Sequence, residues 1–160
     1  MCYVANSLWI MFDTLSIELQ GRWQSYCQQF RRLYNPVFQE AFGEEYEGHE
    51  LFACHAAFPG ILTPDLLYQI WFNFRVYPGK GPSGNETSKP QRKIFTFPNF
   101  LVSDFIQSSL CEEVGYRQYA IDRELRACLL NKLATDHRFG EERIQSLAIL
   151  LQQYQQEKPQ

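Results

Sequence analysis

Residues Leu51 to Phe74 read LFACHAAFPGILTPDLLYQIWFNF. Asp65 is the one acidic residue in this stretch, and it holds no Lys or Arg. So little charge over two dozen residues demands burial. Thr63-Pro64-Asp65 is a helix start: Thr63 can accept from open amides, Pro64 suits the first helical position, and Asp65 complements the helix dipole. Leu66, Leu67, Ile70, Trp71 and Phe74 then recur at helical spacing. Residues 51–58 predict a shorter helix, ended by Pro59-Gly60. The stretch specifies a core rather than an active site.

Upstream, Asp13 or Thr14 predicts the cap of a helix running to about Tyr34. Leu15, Leu19, Trp23, Tyr26, Phe30 and Leu33 form one apolar stripe at steps of four and three. Asn35-Pro36 predicts its end. Residues 37–50 predict a short acidic helix carrying Phe38, Phe42 and Tyr46, then a turn centred on Gly48. Residues 1–10 read as an N-terminal extension outside the core.

Downstream, residues 75–93 form a basic Gly/Pro-rich loop. A compact helix follows Pro98, with Leu101, Val102, Phe105, Ile106 and Leu110 at helical spacing. Residues 113–121, EVGYRQYAI, predict a short hairpin. Asp122 caps a helix burying Leu125, Cys128, Leu129 and Leu133. A last helix, from Glu141 to about Gln155, buries Ile144, Leu147, Ala148 and Leu151. The fold class is mainly α: one helical domain over 11–160, with an N-terminal helical part (11–50) and a core (51–155). Three helices followed by a hairpin is the order of a winged helix-turn-helix.

Composition limits the function classes. A chain of 160 residues is one ordinary domain, and 45% apolar content excludes disorder by composition. The formal net charge of −3 is too small to argue for a nucleic-acid binder or a polyanion. The charge is uneven: residues 11–74 carry −5, residues 75–97 carry +4, and the remainder −2. Five cysteines, an odd number without CxxC spacing, do not make a disulfide scaffold. Residues 2–12 lack the basic start of a signal peptide and are too short to span a bilayer. The expected location is the cytoplasm, which makes the Asn85-Glu86-Thr87 sequon accidental.

Candidate chemistry is thin. Cys54 and His55 are neighbours on a predicted helix and point about 100° apart, so they cannot form a nucleophile–base pair with each other. His49, Cys54 and His55 lack a second ligand pair at zinc spacing. Gly79 to Gly84 has the wrong order for a phosphate-binding loop. The carboxylate pairs Glu44-Glu45, Glu112-Glu113 and Glu141-Glu142 read as solvated charge. No catalytic, metal or cofactor residue is expected. Nucleic-acid binding is disfavoured: the helix NFLVSDFIQSSL has no base and carries Asp104, and the hairpin offers only Arg117. Lys80, Lys89, Arg92 and Lys93 are the candidate polyanion contacts.

The segments LFACHAAFPGILTPDLLYQIWFNF, SSLCEEVGYRQYAIDRELRACLLNKL and DHRFGEERIQSLAILLQQY, in that order, resemble a helical module found near the N-terminus of large cyanobacterial multidomain proteins. The resemblance covers roughly residues 50–155. Its best markers are His55-Ala56-Ala57-Phe58-Pro59, Leu62 to Tyr68, and Val114-Gly115-Tyr116 leading to Arg126. The chain is also distantly similar to the winged-helix-like segment beside von Willebrand A-type regions in bacterial conflict systems. The resemblance implies a non-catalytic adaptor coupling a sensor to an effector, and carries over no catalytic residue. This chain departs from the family in standing alone and in the length of its basic loop. A stand-alone version is a fragment, a decayed copy, or an adaptor acting in trans. The expected function is protein–protein interaction or self-association, without membrane insertion. Trp23, Phe30, Tyr68, Trp71, Tyr116 and Tyr119 are the candidate contacts.

Overall fold

The structure is a computed structural model that describes residues 12–43, 45–79 and 94–157. It is mainly helical, with two small antiparallel strand pairs. In order, the elements are α1 (Ile17–Phe42), α2 (Gly48–Ala56), α3 (Pro64–Phe74), β1 (Val76–Pro78), β2 (Ile94–Thr96), α4 (Leu101–Ile106), β3 (Glu112–Gly115), β4 (Gln118–Ala120), α5 (Arg123–Thr135) and α6 (Gly140–Glu157).

Helix α2 is the centre of the molecule. Every one of its residues is buried, Glu50 and the two histidines included. Gly48 opens this helix rather than centring a turn. A Cβ there would fall 2.6 Å from the Tyr46 hydroxyl, so only glycine fits. The far end is closed by Arg126, whose Nε donates to the Ala57 carbonyl and whose Nη2 donates to that of Phe58, both at 2.6 Å. A cation on the last carbonyls of a helix is favoured by the dipole.

Helix α1 differs from expectation at both ends. Ser16, not Asp13 or Thr14, accepts from the Leu19 amide at 3.2 Å. At the other end the helix passes through Pro36 to Phe42. An internal proline removes one backbone bond and costs about 3 kcal/mol. Packing of Tyr34 and Phe38 on the Tyr46 ring, at 5.5 and 4.8 Å, opposes that cost. Gly43 then ends the helix at φ 70°, donating to the Gln39 carbonyl. Leu33 falls off the stripe and is exposed, because Tyr34 takes the inward place one turn after Phe30.

Helix α3 starts as its sequence dictates. Thr63 Oγ1 accepts from the Leu66 amide, and Leu66, Leu67, Ile70 and Phe74 are buried. The β1–β2 pair (Val76 opposite Thr96, Pro78 opposite Ile94) has no counterpart in the sequence reading. The expected hairpin is present as β3–β4. Leu62 exchanges both backbone hydrogen bonds with Tyr119, at 2.7 and 2.8 Å, and so ties the hairpin to the turn before α3. Asp122 caps α5, which buries the four residues expected of it. In α6, Leu147 is buried and Ile144 and Leu151 are half-buried, but Ala148 is exposed. The shared core runs from Leu19 of α1 through α2 to Leu147 of α6, with Phe52 set edge-on to both Phe97 and Phe105.

Candidate interaction surface and the buried polar network

The six expected contact residues fall into different environments. Trp23 and Phe30 belong to the core, 9% and 4% exposed. The stripe of α1 is therefore an intramolecular surface, which corrects their reading as partner contacts. Trp71 is half-buried and donates its indole N–H to the Phe97 carbonyl at 3.1 Å. Tyr119 is half-buried behind its pairing with Leu62. Tyr68 and Tyr116 are exposed, at 49% and 90%. Lys80, Lys89, Arg92 and Lys93 lie outside the described residues.

Around Tyr68 the structure places apolar residues that sequence reasoning missed. Phe72 follows one helical turn later and is 59% exposed. The Arg75 guanidinium lies 4.8 Å from the Phe72 ring centre and 5.8 Å from that of Trp71. Val76 and Ile94 are exposed on the outer face of the β1–β2 pair, where the register makes them diagonal neighbours. Helix α3 is thus apolar on both sides. Its inner stripe absorbs the periodicity, and Phe72, off that stripe, was the available signal.

Among the described residues, three clusters gather polar groups at the edge of the core, and buried His55 lies apart from them. His49, 1% exposed, is stacked between Phe30 (centroids 4.0 Å apart, 8° between planes) and Tyr34 (5.1 Å, 11°). Its Nδ1 meets the Tyr46 hydroxyl at 2.7 Å and its Nε2 meets Asp104 Oδ2 at 2.9 Å. An ionised carboxylate only accepts, so Nε2 carries the proton and Nδ1 accepts from Tyr46. Burial lowers the His49 pKa, with Asp104 opposing. Tyr34 adds a 3.3 Å bond to Asp104, and Tyr26 donates to the His49 carbonyl at 2.8 Å. The cluster fastens α1 and α2 to α4.

In the second cluster, the Arg138 side chain is 7% exposed. It bonds to both Glu47 oxygens, to both Asp136 oxygens, and to the Pro78 carbonyl. The third lines a cleft of about 480 Å³ between α1, α2 and α5. There Arg31 pairs with Glu45 at 3.1 Å and Glu50 at 2.9 Å, while Lys132 lies 3.7 Å from Glu50 and 5.3 Å from the Trp23 ring centre. Arg31 Nε also lies 2.5 Å from Glu50 Oε1, off the direction of a hydrogen bond. These charges are neutralised within the chain.

Cys54 and His55 are both sealed in the core. Burial pushes the Cys54 thiol up to about 12, which keeps it protonated at neutral pH. His55 Nδ1 donates to the Leu51 carbonyl at 2.6 Å, while Nε2 has no hydrogen-bond partner. Among the described residues, no three His, Cys, Asp or Glu side chains are placed to hold a metal ion. No described helix is long and apolar enough to cross a membrane.

No protein-family model, curated protein or solved structure matches this chain.

Proposed function

We propose that this chain is a non-catalytic protein–protein interaction module, an adaptor that couples a sensor to an effector in bacterial signalling or conflict response, and that it works in the cytoplasm. The observation that carries the reading is the adjacent pair of exposed rings on α3, Tyr68 and Phe72, with Arg75 laid against the second. Single exposed apolar side chains are ordinary. Two aromatics one turn apart beside an arginine are the residue types that dominate binding energy at interfaces.

The second reading is a winged-helix nucleic-acid regulator. The pairing of Leu62 with Tyr119 favours a winged-helix-like core, since it joins the hairpin to the chain ahead of α3. The same reading makes α4 the groove-entering helix. That helix is six residues long, has no basic residue, and has Asp104 engaged by His49 and Tyr34. Phosphate contacts supply most of the affinity in such complexes, and α4 has none to offer. The adaptor reading is therefore preferred.

The test combines solution mass with stability. Light scattering with and without duplex DNA should give the same mass at low and at physiological salt. Complex formation that weakens steeply with salt would favour the regulator. The double variant Tyr68→Ser/Phe72→Ser should keep its melting midpoint within a few degrees. A core-sized loss would mean that the rings serve the fold, and would remove the basis of the adaptor reading.

A further inference from the structure

We propose that the cleft between α1, α2 and α5 is a small-molecule site that takes an uncharged ring compound bearing a carbonyl oxygen, such as an aromatic amide or a pyrimidine base. The site shares no residue with the α3 face, and its occupancy is independent of the adaptor reading. At about 480 Å³ the cleft falls within the range of small-molecule pockets.

The cleft holds a charged group with hydrogen-bonding capacity left over. Glu50 is carried in by α2, and its side chain is 7% exposed. Arg31 already engages it. Lys132 reaches it from α5 and keeps 31% of its side chain exposed. An ammonium has three donors. Glu50 Oε2 lies 3.7 Å from Nζ, beyond hydrogen-bond reach, and nothing else among the described residues accepts from Lys132. The Trp23 ring, its centre 5.3 Å from Nζ, offers no acceptor atom. Because Lys132 lines the cleft, its donors are presented to an occupant.

The charge balance sets what that occupant can be. Arg31 and Lys132 are matched by Glu45 and Glu50. An anion brought to Lys132 would sit against Glu50, and exposed Asp13 lines the same cleft. A cation would meet Lys132 and Arg31. A carbonyl oxygen accepts from the ammonium without either penalty. The other walls suit a ring. Phe12 and Trp23 have their ring centres 6.0 Å apart, with 23° between planes. Burial pushes the Cys27 thiol up, so that wall is uncharged at neutral pH. Gln24 and Gln28, one turn apart on α1, are exposed, and their amides have no hydrogen-bond partner among the described residues. Each can both donate and accept, as the polar edge of an amide or a base requires.

Chemical-shift titration of the full, isotope-labelled chain tests the proposal with benzamide, nicotinamide and uracil as neutral probes. Benzoate and benzylamine serve as charged counterparts of similar shape. The neutral probes should shift the Trp23 indole and the Gln24 and Gln28 side-chain signals together, saturating at roughly millimolar concentration. The charged pair should bind about tenfold more weakly or worse. Lys132→Met keeps the stem but removes the donors, and should weaken the neutral probes by about tenfold. Gln24→Ala/Gln28→Ala alters only exposed side chains; it should weaken them too with an unchanged melting midpoint, and it decides the matter if Lys132→Met does not fold. Absence of saturable shifts with all three neutral probes overturns the proposal. So does tighter binding of benzoate or benzylamine, or an affinity unchanged in Lys132→Met. None of these results touches the adaptor reading, whose own test is the Tyr68→Ser/Phe72→Ser variant.

Discussion

Acidification should destabilise this fold through His55, and the size of the effect follows from its surroundings. The ring is fully buried, with Phe139, Phe74 and Phe97 centred 5.3, 5.8 and 5.8 Å away. Its Nδ1–H is spent on Leu51, and Nε2 faces no donor or acceptor. A proton added at Nε2 would create a buried cation in an apolar cage. Arg143, which lies over the Phe74 and Phe139 rings, would repel it further. Burial accordingly lowers the His55 pKa from 6.5 to about 4, with the bond to Leu51 opposing and Arg143 adding. The unfolded chain therefore takes up this proton before the folded one does. The stability tied to the neutral ring is intact above pH ~6.5, is lost as pH falls toward ~4, and changes no further below. At ~1.4 kcal/mol per pH unit the full loss is ~3 kcal/mol. Urea unfolding of wild type and His55→Leu between pH 7.5 and 4.5 isolates this contribution, since every other titrating group is common to both. The variant should lie within about 1 kcal/mol of wild type at pH 7.5, because leucine fills the site without an orphaned nitrogen. It should exceed wild type by roughly 2–3 kcal/mol at pH 4.5. Parallel stability curves across that range would refute the reasoning.

Three further outcomes are expected. Phe30→Ala removes the ring stacked on His49 and should cost about 3–5 kcal/mol in chemical unfolding, a core value rather than an interface value. Arg138→Leu leaves Glu47 and Asp136 without their shared cation and should cost about 3–5 kcal/mol, while Arg138→Lys should recover only part, because one ammonium cannot reproduce the paired bonds to both carboxylates. Cys54, buried with its thiol raised to about 12, should resist alkylation of the native protein at pH 7, with a rate that follows local unfolding; fast modification without denaturant would contradict its placement.

Much of the fold was legible because its signals are local. Thr63-Pro64-Asp65 and Asp122 mark helix starts by short-range hydrogen bonds, and both perform as read. The continuation of α1 past Pro36 was not legible, because the packing that opposes the proline comes from Tyr46, beyond the helix. The β1–β2 pair was hidden for a related reason: three-residue strands hold no periodicity, and their partners lie across residues 79–93. The candidate surface was read least well. An apolar stripe such as Leu19–Trp23–Phe30 states that something covers it, not whether that cover belongs to the same chain. The network around His49 draws on Tyr46, three residues away, and Asp104, fifty-five away, and no spacing rule anticipates such a meeting.

The β1–β2 pairing has a consequence for how this chain can be altered. Setting Pro78 opposite Ile94 brings the exit and the return of the chain to neighbouring strands, about 5 Å apart. The ends are held there by the fold itself, through Tyr77, Phe95 and Phe97 in the core. Lengthening a flexible connection between two ends held in this way costs only about 0.6 kcal/mol for each doubling of its length. A fluorescent protein or an affinity handle joined between Pro78 and Ile94 should therefore leave the helical body intact. Strand β1 starts two residues after α3 ends, so a bulky insert carried by that strand would also act as a built-in obstruction to whatever docks on the α3 face.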